Sequence, residues 1–162
     1  MSQKKKLEST SSMPIRVIAV ASGGGHWNEL LQLRPALDDC ELHFIGTDIG
    51  WKSTVDAHNF YIVPDAHFDE PWRMIRTFFS MLRLYWKIRP QVVISTGAAP
   101  GGVAMLLGRI FRARTLWVES KANCRVHSLS GRLALRIAHI VLTQHLHLAR
   151  PGGPFYHGSI IL

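Results

Sequence analysis

Six short apolar runs recur along the chain, the first five each followed by a stretch of helical periodicity. The runs cover residues 15–21, 41–46, 60–63, 91–95, 115–118 and 139–143, and most are rich in Val, Ile and Leu without a regular polar alternation. Strands without a polar face must be covered on both sides, which selects a parallel sheet between two layers of helix. Helical patterns at 26–37, 51–57, 71–88, 101–111 and 130–138 supply those layers. The alternation imposes right-handed strand–helix–strand crossovers, so the expected class is α/β with a doubly wound parallel sheet. The 162 residues suffice for one domain with a real core, and neither a fixed repeat nor a linker divides them.

In such sheets ligands bind outside the carboxyl ends of the strands. Three polar turns fall there. The first is Ser22-Gly23-Gly24-Gly25-His26, the second runs from Ser95 and Thr96 through Gly97 to Gly101 and Gly102, and the third is Glu119-Ser120-Lys121-Ala122-Asn123. In the first two, small residues bare backbone N–H groups just where a helix begins, and a helix start carries partial positive charge. One such turn is ordinary punctuation, with glycine serving only tight geometry or close packing. Two at neighbouring strand ends favour a bound phosphate or diphosphate. A dinucleotide fingerprint needs a third glycine where Asn28 stands, although Asp48 lies near the expected acid position. An NAD(P)-binding oxidoreductase is therefore a weaker alternative, and the nucleoside-triphosphate loop is absent.

His26 opens the first helix, where the positive helix end disfavours imidazolium. A neutral ring there serves either as a general base or as a simple cap of the turn. Glu119, at a strand end, is suited to acid–base work or to sugar hydroxyls, and equally to a salt bridge with Lys121 or Arg125. His145 and His147 form an H-x-H pair without a third ligand, so no metal is assigned. Cys40 and Cys124 lack metal-ligand spacing and are expected as reduced thiols. The net charge of +8 calls for an anionic partner.

That charge concentrates on the helix at 71–88. Arg73, Arg76, Thr77, Ser80, Arg83 and Lys87 fall on one polar stripe, and apolar side chains, among them Phe78, Phe79, Tyr85 and Trp86, fill the remaining circumference. A helix packed on a sheet needs an apolar stripe of only about 100°. The excess, flanked by cations, is the composition of a helix lying in a membrane interface, with burial under a partner subunit as the competitor. The pattern lacks the interleaved aromatics of single-strand binders, so no nucleic acid is expected. No run reaches the roughly 20 apolar residues that span a bilayer. The start, with Lys4, Lys5 and Lys6 and no apolar stretch after them, does not read as a signal peptide.

Ser22-Gly23-Gly24-Gly25-His26, Ile94 through Gly101, and Val118-Glu119-Ser120 with Ser130-Gly131-Arg132 together resemble one family. It is the membrane-associated subunit of two-subunit UDP-sugar transferases, typified by asparagine-linked glycosylation protein fourteen and by short subunits of bacterial capsule and exopolysaccharide clusters. The resemblance runs from about Ile15 to Leu162, and the domain is also similar to the acceptor half of the MurG family of murein glycosyltransferases. It implies a Rossmann-like domain equivalent to the N-terminal half of a GT-B glycosyltransferase, needing no cofactor. Its partners would be a separate UDP-sugar-binding catalytic subunit, a polyprenyl-diphosphate-linked acceptor and the cytoplasmic face of the membrane. The implied layout is a mobile basic tail at 1–14, the acceptor domain at 15–149 and a partner-docking tail at 150–162 ending in Ile160, Ile161 and Leu162. Ser22, Gly23, Gly24, Gly25, Thr96, Gly97, Gly101 and Gly102 would hold the acceptor diphosphate, with His26 and Glu119 catalytic. Eukaryotic members carry a transmembrane anchor, whereas here the helix at 71–88 would hold the membrane, helped by the lysines of the tail. A non-catalytic scaffold that activates its partner is the alternative within this family.

Overall fold

The computed structural model describes residues 13–55 and 59–160; the tail lysines, residues 56–58, Ile161 and Leu162 lie outside the described residues. Among the described residues, seven parallel strands form one sheet: β1 (Arg16–Val20), β2 (Glu41–Gly46), β3 (Phe60–Ile62), β4 (Val92–Ser95), β5 (Arg114–Val118), β6 (Ile140–Thr143) and β7 (Phe155–Tyr156). Their order is β3-β2-β1-β4-β5-β6-β7, so the winding reverses between β1 and β4. Four α-helices connect them: α1 (Gly25–Gln32), α2 (Pro71–Ile88), α3 (Ala98–Ile110) and α4 (Leu129–Ile137).

The sheet is buried on both faces, as its apolar strands require. Successive residues of a strand point to opposite faces, and β1 divides accordingly. Val17 and Ala19 join Trp27 and Leu30 of α1 in one core. Ile18 and Val20 join Met81, Tyr85, Met105, Leu107 and Ala134, from α2, α3 and α4, in the other. Trp27 is fully enclosed, tilted against Phe44 and edge-on to Phe60, and donates its indole N–H to Thr54 Oγ1 at 2.8 Å.

Several elements differ from expectation for local reasons. The first helix ends at Gln32, since Pro35 has no N–H to donate back to Leu31 O, and the chain continues as a 3-10 turn over Arg34–Leu37. Of the run at 51–57, residues 51–54 belong to a 3-10 segment, Ile49–Thr54, capped by Asp48, and residues 56 and 57 lie outside the described residues. The third helix starts three residues early, with Pro100 in its first turn, where the missing N–H has no helical partner in any case. Beyond β6, Phe155 and Tyr156 pair with Leu142 and Thr143, so the sheet continues into the segment read as a docking tail.

The second helix occupies the span expected for it, Pro71–Ile88. Arg89 follows in the left-handed region (φ 50°), and Pro90 prevents continuation. Its buried face is Thr77, Met81, Tyr85 and Ile88. Two expectations are corrected here. Thr77 leaves the polar stripe and donates its hydroxyl to Pro64 O at 2.7 Å. Tyr85 does not face outward: it is fully enclosed, donates to Ala104 O at 2.7 Å, and burial pushes its hydroxyl pKa well above the usual tyrosine value. Phe78 is half-buried against the same core. The exposed apolar stripe is instead Trp72, Ile75, Phe79 and Trp86, beside exposed Arg73, Arg76, Arg83 and Lys87.

Candidate functional site

A sheet whose winding reverses leaves a crevice at the carboxyl ends of the two central strands. Here that crevice lies between β1 and β4, and it opens into a cavity of about 330 Å³. Ser22 and His26 line it from the first glycine turn, and Ala98 and Ala99 from the start of α3. Asp65, Ala66, His67 and Phe68 of the β3–α2 connection and Leu129 and Ser130 of α4 complete the wall.

The first turn exposes its backbone. Gly24 has φ 65°, and a Cβ on Gly24 or Gly25 would meet nothing within 4 Å. Gly23 is different: a Cβ there would lie 3.1 Å from the Trp51 indole nitrogen, so its lack of a side chain serves packing. Neither α1 nor α3 has a side-chain cap, whereas Ser128 caps α4 by accepting from Gly131 N at 2.9 Å. Both starts at the crevice therefore present uncapped first-turn N–H groups and the positive helix end.

His26 and Thr96 clamp the two turns together. Thr96 Oγ1 donates to His26 O at 2.6 Å, and His26 Nδ1 lies 3.0 Å from Thr96 O. A carbonyl only accepts, so Nδ1 carries the proton of that bond. In the neutral ring Nε2 is then the free acceptor. A Cβ on Gly97 would overlap the His26 ring, and Gly97 itself has φ 148°, so glycine is required there twice over. Ala98 follows at φ 65°, a conformation that costs an alanine free energy and that clusters at functional sites.

The remaining expected site residues lie elsewhere. Gly101 and Gly102 sit inside α3 and are buried. A Cβ on Gly101 would overlap Ser95 Oγ and lie 3.1 Å from the Trp117 ring, so its lack of a side chain serves packing. Gly102 packs near Leu133 and Phe68. Glu119 is 1% exposed and does not line the crevice. Its Oε2 accepts from Trp117 Nε1 at 3.0 Å, and its Oε1 from Asn123 Nδ2 and, at 3.2 Å, from Ser128 N. It pins the loop before α4. Glu29 ties α1 to the same loop, accepting from Ser120 Oγ at 3.0 Å and Lys121 N at 2.9 Å.

Asp65, His67, Phe68 and Leu129 are wall residues that motif reading passed over. The first three belong to "PDAHFDEP", a connection without glycine. The signal available was positional: it follows a strand two places from the winding reversal. At the far end of the chain, Ile160 N donates to Gln144 Oε1 at 3.1 Å, which holds the last described residue against β6.

No family model matches the sequence, and no curated protein matches it. Solved structures do. UDP-N-acetylglucosamine 2-epimerase from Rickettsia bellii aligns over 91% of this chain and 46% of its own, with TM-score 0.74 and 12% identity. MurG from Acinetobacter baumannii aligns over 90% of this chain and 44% of its own, with TM-score 0.69 and 18% identity. A glycosyltransferase from Rickettsia africae aligns over 82% of this chain and 37% of its own, with TM-score 0.61 and 12% identity. The chain thus spans less than half the length of each. The likeness is one of fold: this domain has the Rossmann-like architecture of one half of a GT-B enzyme.

Proposed function

We propose that this chain is the acceptor-binding half of a GT-B glycosyltransferase. It works with a separate chain that binds the UDP-sugar, and the acceptor is a saccharide linked to a polyprenyl diphosphate. The observation that carries the reading is His26, its Nδ1 committed to Thr96 O and its Nε2 left to accept at the wall of the switch-point cavity. In the reaction, Nε2 takes the proton of the acceptor hydroxyl as that oxygen attacks the anomeric carbon. The bond from the anomeric carbon to UDP breaks, and the diphosphate leaves with the electron pair. Gly24, Gly25 and Ala98 offer open backbone for the acceptor diphosphate. Glu119 holds the loop that positions Ser130 rather than moving a proton. The apolar end at Ile160 is the proposed seat of the partner. The fold shared with one half of MurG and of UDP-N-acetylglucosamine 2-epimerase supports the division of labour.

The experiment is reconstitution. The purified chain should transfer no sugar, and adding the cognate nucleotide-sugar-binding chain should produce transfer from UDP-sugar to a lipid-diphosphate acceptor. Robust turnover by this chain alone would overturn the reading.

We further propose that α2 lies on the cytoplasmic face of the membrane. No helix among the described residues is long and apolar enough to cross a bilayer. Trp72, Ile75, Phe79 and Trp86 would enter the interface, and the four adjacent cations would meet lipid phosphates. Each cation near an anionic surface is worth about 1 kcal/mol. Replacing Arg73, Arg76, Arg83 and Lys87 by Glu should therefore weaken binding to anionic vesicles by about three orders of magnitude or more. Vesicle flotation reads this out, and failure of the folded wild-type chain to float would remove direct docking.

A further inference from the structure

A second and larger cavity, of about 540 Å³, lies on the same rim, beyond α4. It is lined by Arg125, Arg132 and Arg150, by His127, and by the aliphatic carbons of Val126, Leu135, Leu148 and Pro154. Among the described residues no carboxylate pairs with any of the three arginines. Three unneutralised guanidiniums around one hollow repel each other until an anion enters.

The hollow is built rather than incidental. Arg150 Nη1 donates to His147 O at 3.2 Å and Ala149 O at 2.9 Å, and its own backbone closes the turn onto Pro154 O at 3.0 Å. That guanidinium is held in place before any ligand arrives. His127 Nδ1 is buried, has no hydrogen-bond partner and lies 3.7 Å from Glu119 Oε2. The Glu119 network thus anchors the inner wall. Arg132 also lines a smaller hollow with Phe68 and Leu129, two residues that belong to the switch-point cavity as well, so the three hollows share walls along α4.

We propose that this cavity is a second anion site, distinct from the switch-point cavity, and that it takes a phosphate ester with an aliphatic body. Three guanidinium forks outnumber the two oxygens of one carboxylate, whereas a phosphate monoester offers three acceptor oxygens and a larger negative charge, which favours phosphate. The wall next to the arginines is aliphatic and, apart from His127, carries no ring on which a nucleobase would stack. The body attached to the phosphate is therefore a hydrocarbon chain rather than a nucleoside. Two sources have this chemistry: the headgroup of an anionic phospholipid and a prenyl phosphate.

The test is titration of the full chain with farnesyl monophosphate, followed by calorimetry and amide chemical shifts. Saturable binding is expected, with shifts concentrated at residues 125–132 and 146–154. The Arg125→Gln/Arg132→Gln double variant, which alters only exposed side chains, should bind at least about tenfold more weakly. Inorganic phosphate should also bind at least about tenfold more weakly than the farnesyl ester, since it leaves the aliphatic wall unfilled. Displacement of the farnesyl ester by phosphatidylglycerol vesicles assigns the site to a bilayer headgroup, and persistence in their presence assigns it to a prenyl phosphate. Unchanged affinity in the double variant, shifts confined to residues 22–26 and 97–99, or absence of saturable binding would each overturn the proposal. None of these results depends on whether the chain takes part in sugar transfer.

Discussion

Gly101→Val is expected to destabilise the domain by about 3–5 kcal/mol, because it overfills a site with no give. Overpacking of a close-packed core costs about 1–3 kcal/mol and sometimes more. At Gly101 the first added carbon already overlaps Ser95 Oγ and comes within 3.1 Å of the Trp117 ring, and both residues are fully enclosed. Relief would require α3 to move off β4 and β5, which would also pull Ala98 and Ala99 out of the switch-point wall. For a domain of this size each kcal/mol lowers the melting temperature by roughly 2–4 °C, so a fall of about 10 °C is expected. Gly25→Val provides the contrast. A Cβ there meets nothing within 4 Å, so the fold should tolerate it while the branched side chain obstructs approach to the backbone. Thermal melts of the two variants separate a packing glycine from a ligand glycine. A Gly101→Val protein that melts within about 2 °C of wild type would contradict the packing described.

The sheet was legible because its strands carry no polar face, and β1 shows why: its residues divide alternately between two cores. The span of α2 was legible from its periodicity, but its orientation was not. About two-thirds of its circumference is apolar, and periodicity does not say which third meets the sheet. Contact with α3 settles it, drawing Tyr85 inward to Ala104 O and leaving Trp86 exposed. The start of α3 was hidden because Pro100, Gly101 and Gly102 look like a loop, whereas Gly101 is glycine for helix–strand approach.

The site was legible in part. His26 and Gly97 stand where the glycine turns placed them, now with a reciprocal clamp that no motif describes. Glu119 illustrates the opposite case. It follows Trp117 by two residues and so leaves the strand on the same face, toward α4 rather than toward the rim. Position at a strand end was visible in the sequence, whereas side-chain direction needed the register of β5. Phe155 and Tyr156 form a strand of two residues, too short to carry any periodic signal.

The central claim is that the switch-point cavity activates an acceptor hydroxyl through His26. Removal of the ring should cost the fold little, since it forfeits one partly buried hydrogen bond worth about 1 kcal/mol. Loss of a positioned general base, by contrast, slows chemistry by about 10²–10⁴-fold. The decisive measurement is therefore transfer by the reconstituted two-chain enzyme carrying His26→Ala, with acceptor varied and partner and UDP-sugar saturating. The account predicts that kcat falls about 10²–10⁴-fold while the acceptor KM and the melting temperature stay close to wild type. A His26→Ala enzyme that transfers within about threefold of the wild-type rate would contradict it, and would leave this chain the part of a scaffold that presents acceptor to chemistry carried out wholly by its partner.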